Sequence, residues 1–168
     1  MDDIDRRILS ELQQDGRLTI TELADRVSIS LSPAHRRLRE LERTGVIRGY
    51  RAHLNPEALG LTFEALVFVT MSEGGRETLS AFESAVFSIP SVLHAQRLFG
   101  DPDYILRVMT RDLKAFQVLY DDHLSALPGV QRLTSTLVMK SIIEDRPLVV
   151  SSHEVRGSTE RKVSREQL

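Results

Sequence analysis

Residues 30–45 read Ser30-Leu31-Ser32-Pro33-Ala34-His35-Arg36-Arg37-Leu38-Arg39-Glu40-Leu41-Glu42-Arg43-Thr44-Gly45. Ser32 followed by Pro33 is a helix-start signal. The hydroxyl caps a free backbone N–H, and a first-turn proline loses no hydrogen bond. Ala34, Leu38 and Leu41 then fall at i, i+4 and i+7, a single stripe that must be buried. Thr44-Gly45 stops the helix. The other side carries His35, Arg36, Arg39 and Arg43. Six arginines (36, 37, 39, 43, 48 and 51) against Glu40 and Glu42 give residues 34–53 a local charge of +4. A helix that buries one stripe and displays guanidinium groups opposite has the chemistry to read DNA. Arginine grips guanine O6 and N7 with two N–H groups or clamps a phosphate.

Upstream, Ile4, Ile8, Leu9 and Leu12 recur at helical spacing behind Asp2, Asp3 and Asp5, acids suited to a helix N-terminus. They predict a first helix from about Asp3 to Gln14, ended at Asp15-Gly16 with glycine in the left-handed cap. Thr19 or Thr21 caps a second helix, Thr21 to Val27, whose inner face is Leu23, Ala24 and Val27. Ser28-Ile29-Ser30 is a tight connection. Downstream, Val46-Ile47, a turn at Arg48-Gly49 and a return strand Tyr50–Leu54 form a small hairpin. Residues 1–54 therefore read as a winged helix-turn-helix. In that frame Ser30, Ser32 and Pro33 stand at the phosphate end of the third helix, where hydroxyls and free N–H groups meet anions. His35, Arg36 and Arg39 face the groove, and Arg48 and Arg51 hold flanking backbone. Arg37 lies beside the inward Leu38. It either pairs with an acid of the first two helices or reaches DNA.

Residues 55–62, with Pro56 and Gly60, are a linker. From Phe63 the period changes. Phe63–Met71 reads as a strand, Glu73-Gly74-Gly75 as a turn, and Arg76–Ser88 as a helix with Leu79, Phe82, Val86 and Phe87 on one face. Two strands, Val92–Phe99 and Tyr104–Thr110, flank the turn Gly100-Asp101-Pro102-Asp103. Asp112 caps a helix with Leu113, Phe116, Leu119, Tyr120 and Leu124 inward, and Val130–Ile143 contains the last strand. The order β-α-β-β-α-β makes residues 63–150 ferredoxin-like and the chain α+β. Residues 151–168 read as a polar tail. Two helices cover one sheet face. The other, carrying residues of Leu66-Val67-Phe68-Val69, is unsuited to water, and sheet-on-sheet pairing of two copies would bury it.

Composition narrows the classes. The 168 residues are 41% hydrophobic and 27% charged, as in soluble domains. No apolar run approaches the ~18 residues of a membrane span. There is no cysteine, so thiolate metal sites and disulfides are excluded. The acidic start lacks a signal-peptide core, and a cytoplasmic location fits. The net charge of −2 conceals a neutral head, an acidic middle and a slightly basic end. The five histidines lack metal-ligand spacing, so no metal is expected. Asp121-Asp122 are adjacent and do not face one another. No phosphate loop or nucleophile elbow is present, so neither a cofactor nor an enzyme is expected.

Several strings, in order, resemble the Lrp/AsnC family of transcription regulators. Asp5-xx-Ile8-Leu9-xx-Leu12-Gln13-xx-Gly16-Arg17 resembles its opening, and Glu22-Leu23-Ala24-xx-Val27 its second helix. The run from Ser30 through Ser32-Pro33, Arg37-Leu38, Leu41-Glu42 and Gly45-Val46-Ile47 to Gly49-Tyr50 resembles its recognition helix and wing. Gly100-Asp101-Pro102-Asp103-Tyr104 and Leu127-Pro128-Gly129-Val130 resemble its regulatory domain. The resemblance covers residues 2 to about 148. It departs at Ser28, where the family usually carries glycine; a left-handed serine costs up to ~1–2 kcal/mol.

The loop Gly100–Tyr104 is the candidate effector site. Asp101 and Asp103 can accept an ammonium group, and nearby N–H groups a carboxylate, which suits an α-amino acid. An ordinary hairpin turn has the same composition. The resemblance implies an amino-acid effector bound between subunits near this loop and the last strand, where Thr134, Ser135 and Thr136 offer hydroxyls. It also implies dimers that assemble further, often to octamers. The partners expected are thus double-stranded DNA, a small effector and further copies of the chain. Two rival readings share parts of the layout. Sirohaem-type tetrapyrrole decarboxylases use the same two domains but need no basic helix. RNA-recognition modules share β-α-β-β-α-β but need stacking aromatics in a basic, glycine-containing strand motif, which is missing here.

Overall fold

A computed structural model of the chain describes residues 1–72 and 75–150. They form two compact units, Met1–Ala52 joined by 143–150, and His53–Ile142. The tail expected over 151–168 and part of the turn at 73–75 lie outside the described residues. Among the described residues no helix is long and apolar enough to cross a membrane.

The first unit is built on α1 (Asp3–Gln14), α2 (Ile20–Val27) and α3 (Leu31–Arg43). Asp2 opens α1 with a reciprocal cap: its carboxylate accepts the Asp5 N–H and the Asp5 carboxylate accepts the Asp2 N–H, both at 3.0 Å. Thr19 does the same for α2 with Glu22, so Thr19 is the cap and α2 starts one residue before the expected Thr21. Such boxes satisfy two free N–H donors at once. Ile8, Leu9, Leu23, Val27 and Leu41 form the core, with Leu38 and Ile47 packed on it. Each fully buried aliphatic contributes about 1.5–3 kcal/mol.

Four expectations change here. The α3 cap is Ser30, two residues before Ser32, which lies inside the first turn with Pro33. Asp15, in extended geometry, ends α1, and Gly16 is not among the left-handed residues. The wing residues 46–54 form no ladder. Tyr50 instead donates to Glu42 at 3.0 Å, and its ring lies against Gly16. Finally, residues 143–150, assigned from sequence to the second domain, cluster with the first unit. Leu148 exchanges two hydrogen bonds with the Gln13 amide, and Arg6 donates to the Val150 carbonyl at 3.1 Å. Val150 packs on the head core.

The second unit begins with a 3-10 turn, Glu57–Leu59, within the expected linker. There follow β1 (Phe63–Met71), α4 (Arg76–Phe87), β2 (Val92–Arg97), β3 (Tyr104–Thr110), α5 (Leu113–Leu119), a π turn Tyr120–Leu124 and β4 (Val130–Leu137). All pairings are antiparallel, in the order β2-β3-β1-β4. Asp112 caps α5 as expected, its carboxylate accepting the Ala115 N–H at 2.7 Å. Ala65, Val67 and Val69 point into a core with Phe82, Val86, Leu106, Val108, Phe116 and Leu124, and Phe63 and Met71 pack at its edge. The alternate residues Leu66 and Phe68 lie on the open face. Phe87 and Leu113, expected inward, are 93% and 56% exposed. Phe87 follows Val86 by one helical step of about 100°, and Leu113 sits in the first turn.

Candidate DNA-binding face and effector pocket

The short turn before α3 is held by Ser28 in the left-handed region, φ 59° and ψ 47°. The geometry that glycine would take with ease is therefore kept by a serine. Beyond it α3 presents two sides. Ala34 and Leu41 are buried, while Ser32, His35, Arg36, Arg39 and Arg43 are exposed. Arg43 is committed to Glu40 by two bonds of 2.9 and 2.6 Å, and this pairing holds the Glu40 carboxyl below its ordinary range. Among the described residues Arg36 and Arg39 have no such acid. The first turn differs from those of α1 and α2: Ser30 makes no side-chain cap bond. The leading N–H groups of α3 are therefore free of side-chain acceptors, the arrangement in which a helix end accepts a phosphate.

Arg37 is spoken for. One guanidinium nitrogen lies 2.7 Å from both Asp2 and Asp5, and the side chain is a quarter exposed. It ties the recognition helix to the start of α1, so of the two readings open from sequence the pairing is the one formed. The Asp5 hydrogen bond, then that of Asp2, strengthens its hold on the proton. Arg48 and Arg51 are exposed on the extended segment after α3.

In the second unit the loop between β2 and β3 meets the start of β4. Thr70, Gly100, Asp101, Asp103, Gln131 and Arg132 line a cleft of about 540 Å³. Register explains the meeting: Thr70 pairs with Arg132 across β1 and β4, and the Asp103 N–H donates to the Val69 carbonyl at 2.9 Å. Asp101 carries the freer carboxylate, 76% exposed and 3.8 Å from the Arg132 guanidinium. Asp103 is partly used, since its Oδ2 accepts the Met71 N–H at 2.7 Å. Gly100 sits at φ 130°, a conformation open to glycine, and the Asp101–Pro102 bond is cis.

The other expected effector residues lie elsewhere. Tyr104 is 3% exposed, its ring tilted against Phe82 with centroids 4.6 Å apart, and donates to Glu83 at 2.8 Å. Burial, then that hydrogen bond, pushes its phenol up to about 12. It belongs to the core. Thr134 and Thr136 pair with Phe68 and Leu66 on the open face, and Ser135 with Val67 on the other. None of these three, nor Pro102, lines the cleft. Thr70, Gln131 and Arg132 were not anticipated; the strand pairing that brings them together is a long-range property.

A helix-turn-helix with a basic exposed helix, followed by a ferredoxin-like domain carrying a charged cleft, defines a two-domain DNA-binding regulator. Two family models match the chain in those terms: a winged helix-turn-helix DNA-binding domain over residues 1–48 and the Lrp/AsnC ligand binding domain over residues 64–148. The chain belongs to the Lrp/AsnC family and is a transcription regulator. The leucine-responsive regulatory protein of Klebsiella pneumoniae is 37% identical over 152 residues, covering 90% of this chain and 93% of that protein. A transcriptional regulator from Neisseria meningitidis, solved in complex with L-Met, superposes with a TM-score of 0.83 at 37% identity, covering 88% of this chain and 96% of that one. An AsnC family regulator from Agrobacterium tumefaciens gives 0.82 at 32% identity over 86% and 94%. Nothing in these matches supports the tetrapyrrole decarboxylase.

Proposed function

We propose that this regulator binds its operator through α3 and is switched by an α-amino acid held in the cleft beside Arg132. The observation that carries the effector reading is the pair of opposite charges across the cleft. Asp101 and Arg132 are both well exposed, at 76% and 64%, and 3.8 Å apart. A zwitterion brings one group for each: its ammonium to Asp101 and its carboxylate to Arg132, by charge-assisted hydrogen bonds. The cleft is open enough to take a side chain besides.

On the DNA side, Ser32, His35, Arg36 and Arg39 meet the major groove. Ser30 and the free N–H groups behind it take a phosphate, with Pro33 inside that first turn. Arg48 and Arg51 hold flanking backbone. Arg37 positions the helix. Two copies pair through the open sheet face, giving a symmetric reader of two half-sites, and such dimers assemble further. As a reader of DNA, the regulator works in the cytoplasm.

The test is a thermal-shift and fluorescence-anisotropy series on the full chain and its own upstream DNA, with each amino acid in turn. At least one amino acid is expected to raise the melting temperature by mass action and to alter DNA affinity. DNA must then alter affinity for that amino acid by the same factor. Asp101→Asn and Arg132→Ala are expected to lose the effector response while keeping basal DNA binding. Arg36→Ala and Arg39→Ala do the reverse, each weakening operator binding by about 1–3 kcal/mol and relaxing its specificity. An effector response that survives both cleft substitutions would refute the assignment.

A further inference from the structure

Helix α3 holds five apolar residues: Leu31, Pro33, Ala34, Leu38 and Leu41. Ala34 and Leu41 are buried, Leu38 packs on the core, and Pro33 is half-buried. Leu31 is 50% exposed and is absent from the residues packed on the head core. It is the one large aliphatic side chain of the recognition helix that the fold does not use. Its position is as telling as its exposure. Leu31, His35 and Arg39 follow one another at four-residue steps, and all three are exposed. Leu31 heads that row as the first helical residue. Helical side chains lean toward the N-terminus, so this one reaches past the end of the helix rather than back along it. Its neighbours Ser30 and Ser32 are short and leave it uncovered.

We propose that Leu31 is a base-reading residue, and that what it reads is the 5-methyl group of thymine. The inference rests on the reading that α3 enters the major groove. N-terminal residues of such a helix are the ones that reach base edges. The thymine methyl is the apolar group that the major groove offers there; the other groups on base edges are hydrogen-bond donors and acceptors. A leucine among guanidinium groups has no polar chemistry to offer, so it distinguishes a thymine from the other bases by apolar contact. The arginines supply affinity and guanine readout. Leu31 adds discrimination at one A·T pair in each half-site.

The methyl can be removed without touching the protein. A duplex is selected from a randomised library with the full-length chain, and each thymine is replaced in turn by deoxyuridine. The expected result is an affinity loss of about fourfold, the worth of one buried methyl-sized group, at one symmetric position per half-site. That loss should shrink toward zero in Leu31→Ala, whose melting temperature should match the parent's. If no single replacement changes affinity, or if Leu31→Ala weakens thymine and deoxyuridine duplexes equally, the proposal is overturned. Should Leu31→Ala unfold, Leu31→Gln makes the same comparison, and a silent deoxyuridine series on the parent protein overturns the proposal by itself. Arg36→Ala and Arg39→Ala separate the two failures. If they bind the parent duplex undiminished, the groove reading itself falls; if they weaken while deoxyuridine is silent, Leu31 alone was misread.

Discussion

A single guanidinium nitrogen on Arg37 holds two carboxylates, and both belong to the cap that starts α1. The same acids thus close the first helix and anchor the third. The Asp2 carboxyl is held below its ordinary 3.8, by the Asp5 N–H first and by Arg37 after burial has pulled the other way. A depressed carboxylate stabilises the fold above its unfolded value, and that contribution is lost as pH falls through the folded value. The melting temperature should therefore drop on acidification below 3.8. In Arg37→Ala the starting value should be lower and the acid-induced drop smaller, though not absent, because the Asp5 N–H remains. Melting curves taken between about pH 5 and pH 3 measure this; equal drops in both proteins would mean that the pairing adds nothing. The sequence made a partner for Arg37 legible, since acids crowd the first turn of α1. It did not say which acid, because that depends on how three helices pack.

The turn from α2 to α3 keeps a left-handed residue that is not glycine. Ser28→Gly removes a steric cost of about 1–2 kcal/mol but adds unfolded-state freedom worth about 0.5–1 kcal/mol. The net expectation is stabilisation by up to about 1.5 kcal/mol, read as a rise in denaturant midpoint at unchanged slope. A fall would show that the Ser28 side chain makes a contact that matters. The start of α3 shows where element reading has a physical limit. The first four N–H groups of a helix have no partner inside it, so proline is tolerated anywhere in that turn. Ser32-Pro33 and Ser30-Leu31-Ser32-Pro33 are then equally good starts, and packing of Ala34 and Leu41 decides. The strands β1 and β3 were legible to the residue, because turn residues stand beside them and both runs are rich in aromatic and aliphatic side chains. The wing was not. Val46 and Tyr50–Leu54 have strand-like composition, but a strand needs a ladder partner, and composition does not supply one.

At the scale of the whole molecule, the ferredoxin-like sheet has one face packed and one face open. The centre of the open face mixes half-buried Leu66, Phe68 and Ile105 with an ion pair, Arg107 to Glu64 at 2.6 Å. If two copies meet there, Phe68→Glu places a like charge against its own symmetry mate in a desolvated setting. Sedimentation should then show the assembly falling to monomers while Arg36→Ala stays assembled, and cooperative DNA binding should be lost with it. An unchanged particle size would place the contact elsewhere. The cleft was half legible: Gly100, Asp101 and Asp103 stand in a recognisable loop, whereas Thr70, Gln131 and Arg132 join them only through β1–β4 register. Legibility failed most at residues 143–150, a short segment without periodicity whose destination, the Gln13 and Arg6 side of α1, lies 135 residues or more away in sequence. That return has a consequence in time. On the ribosome, the helices of the first unit emerge first, yet the α1 surface that Leu148 and Val150 cover stays bare until the second unit has been made. The reader is begun first and finished last, so every completed reader is already joined to its sensor.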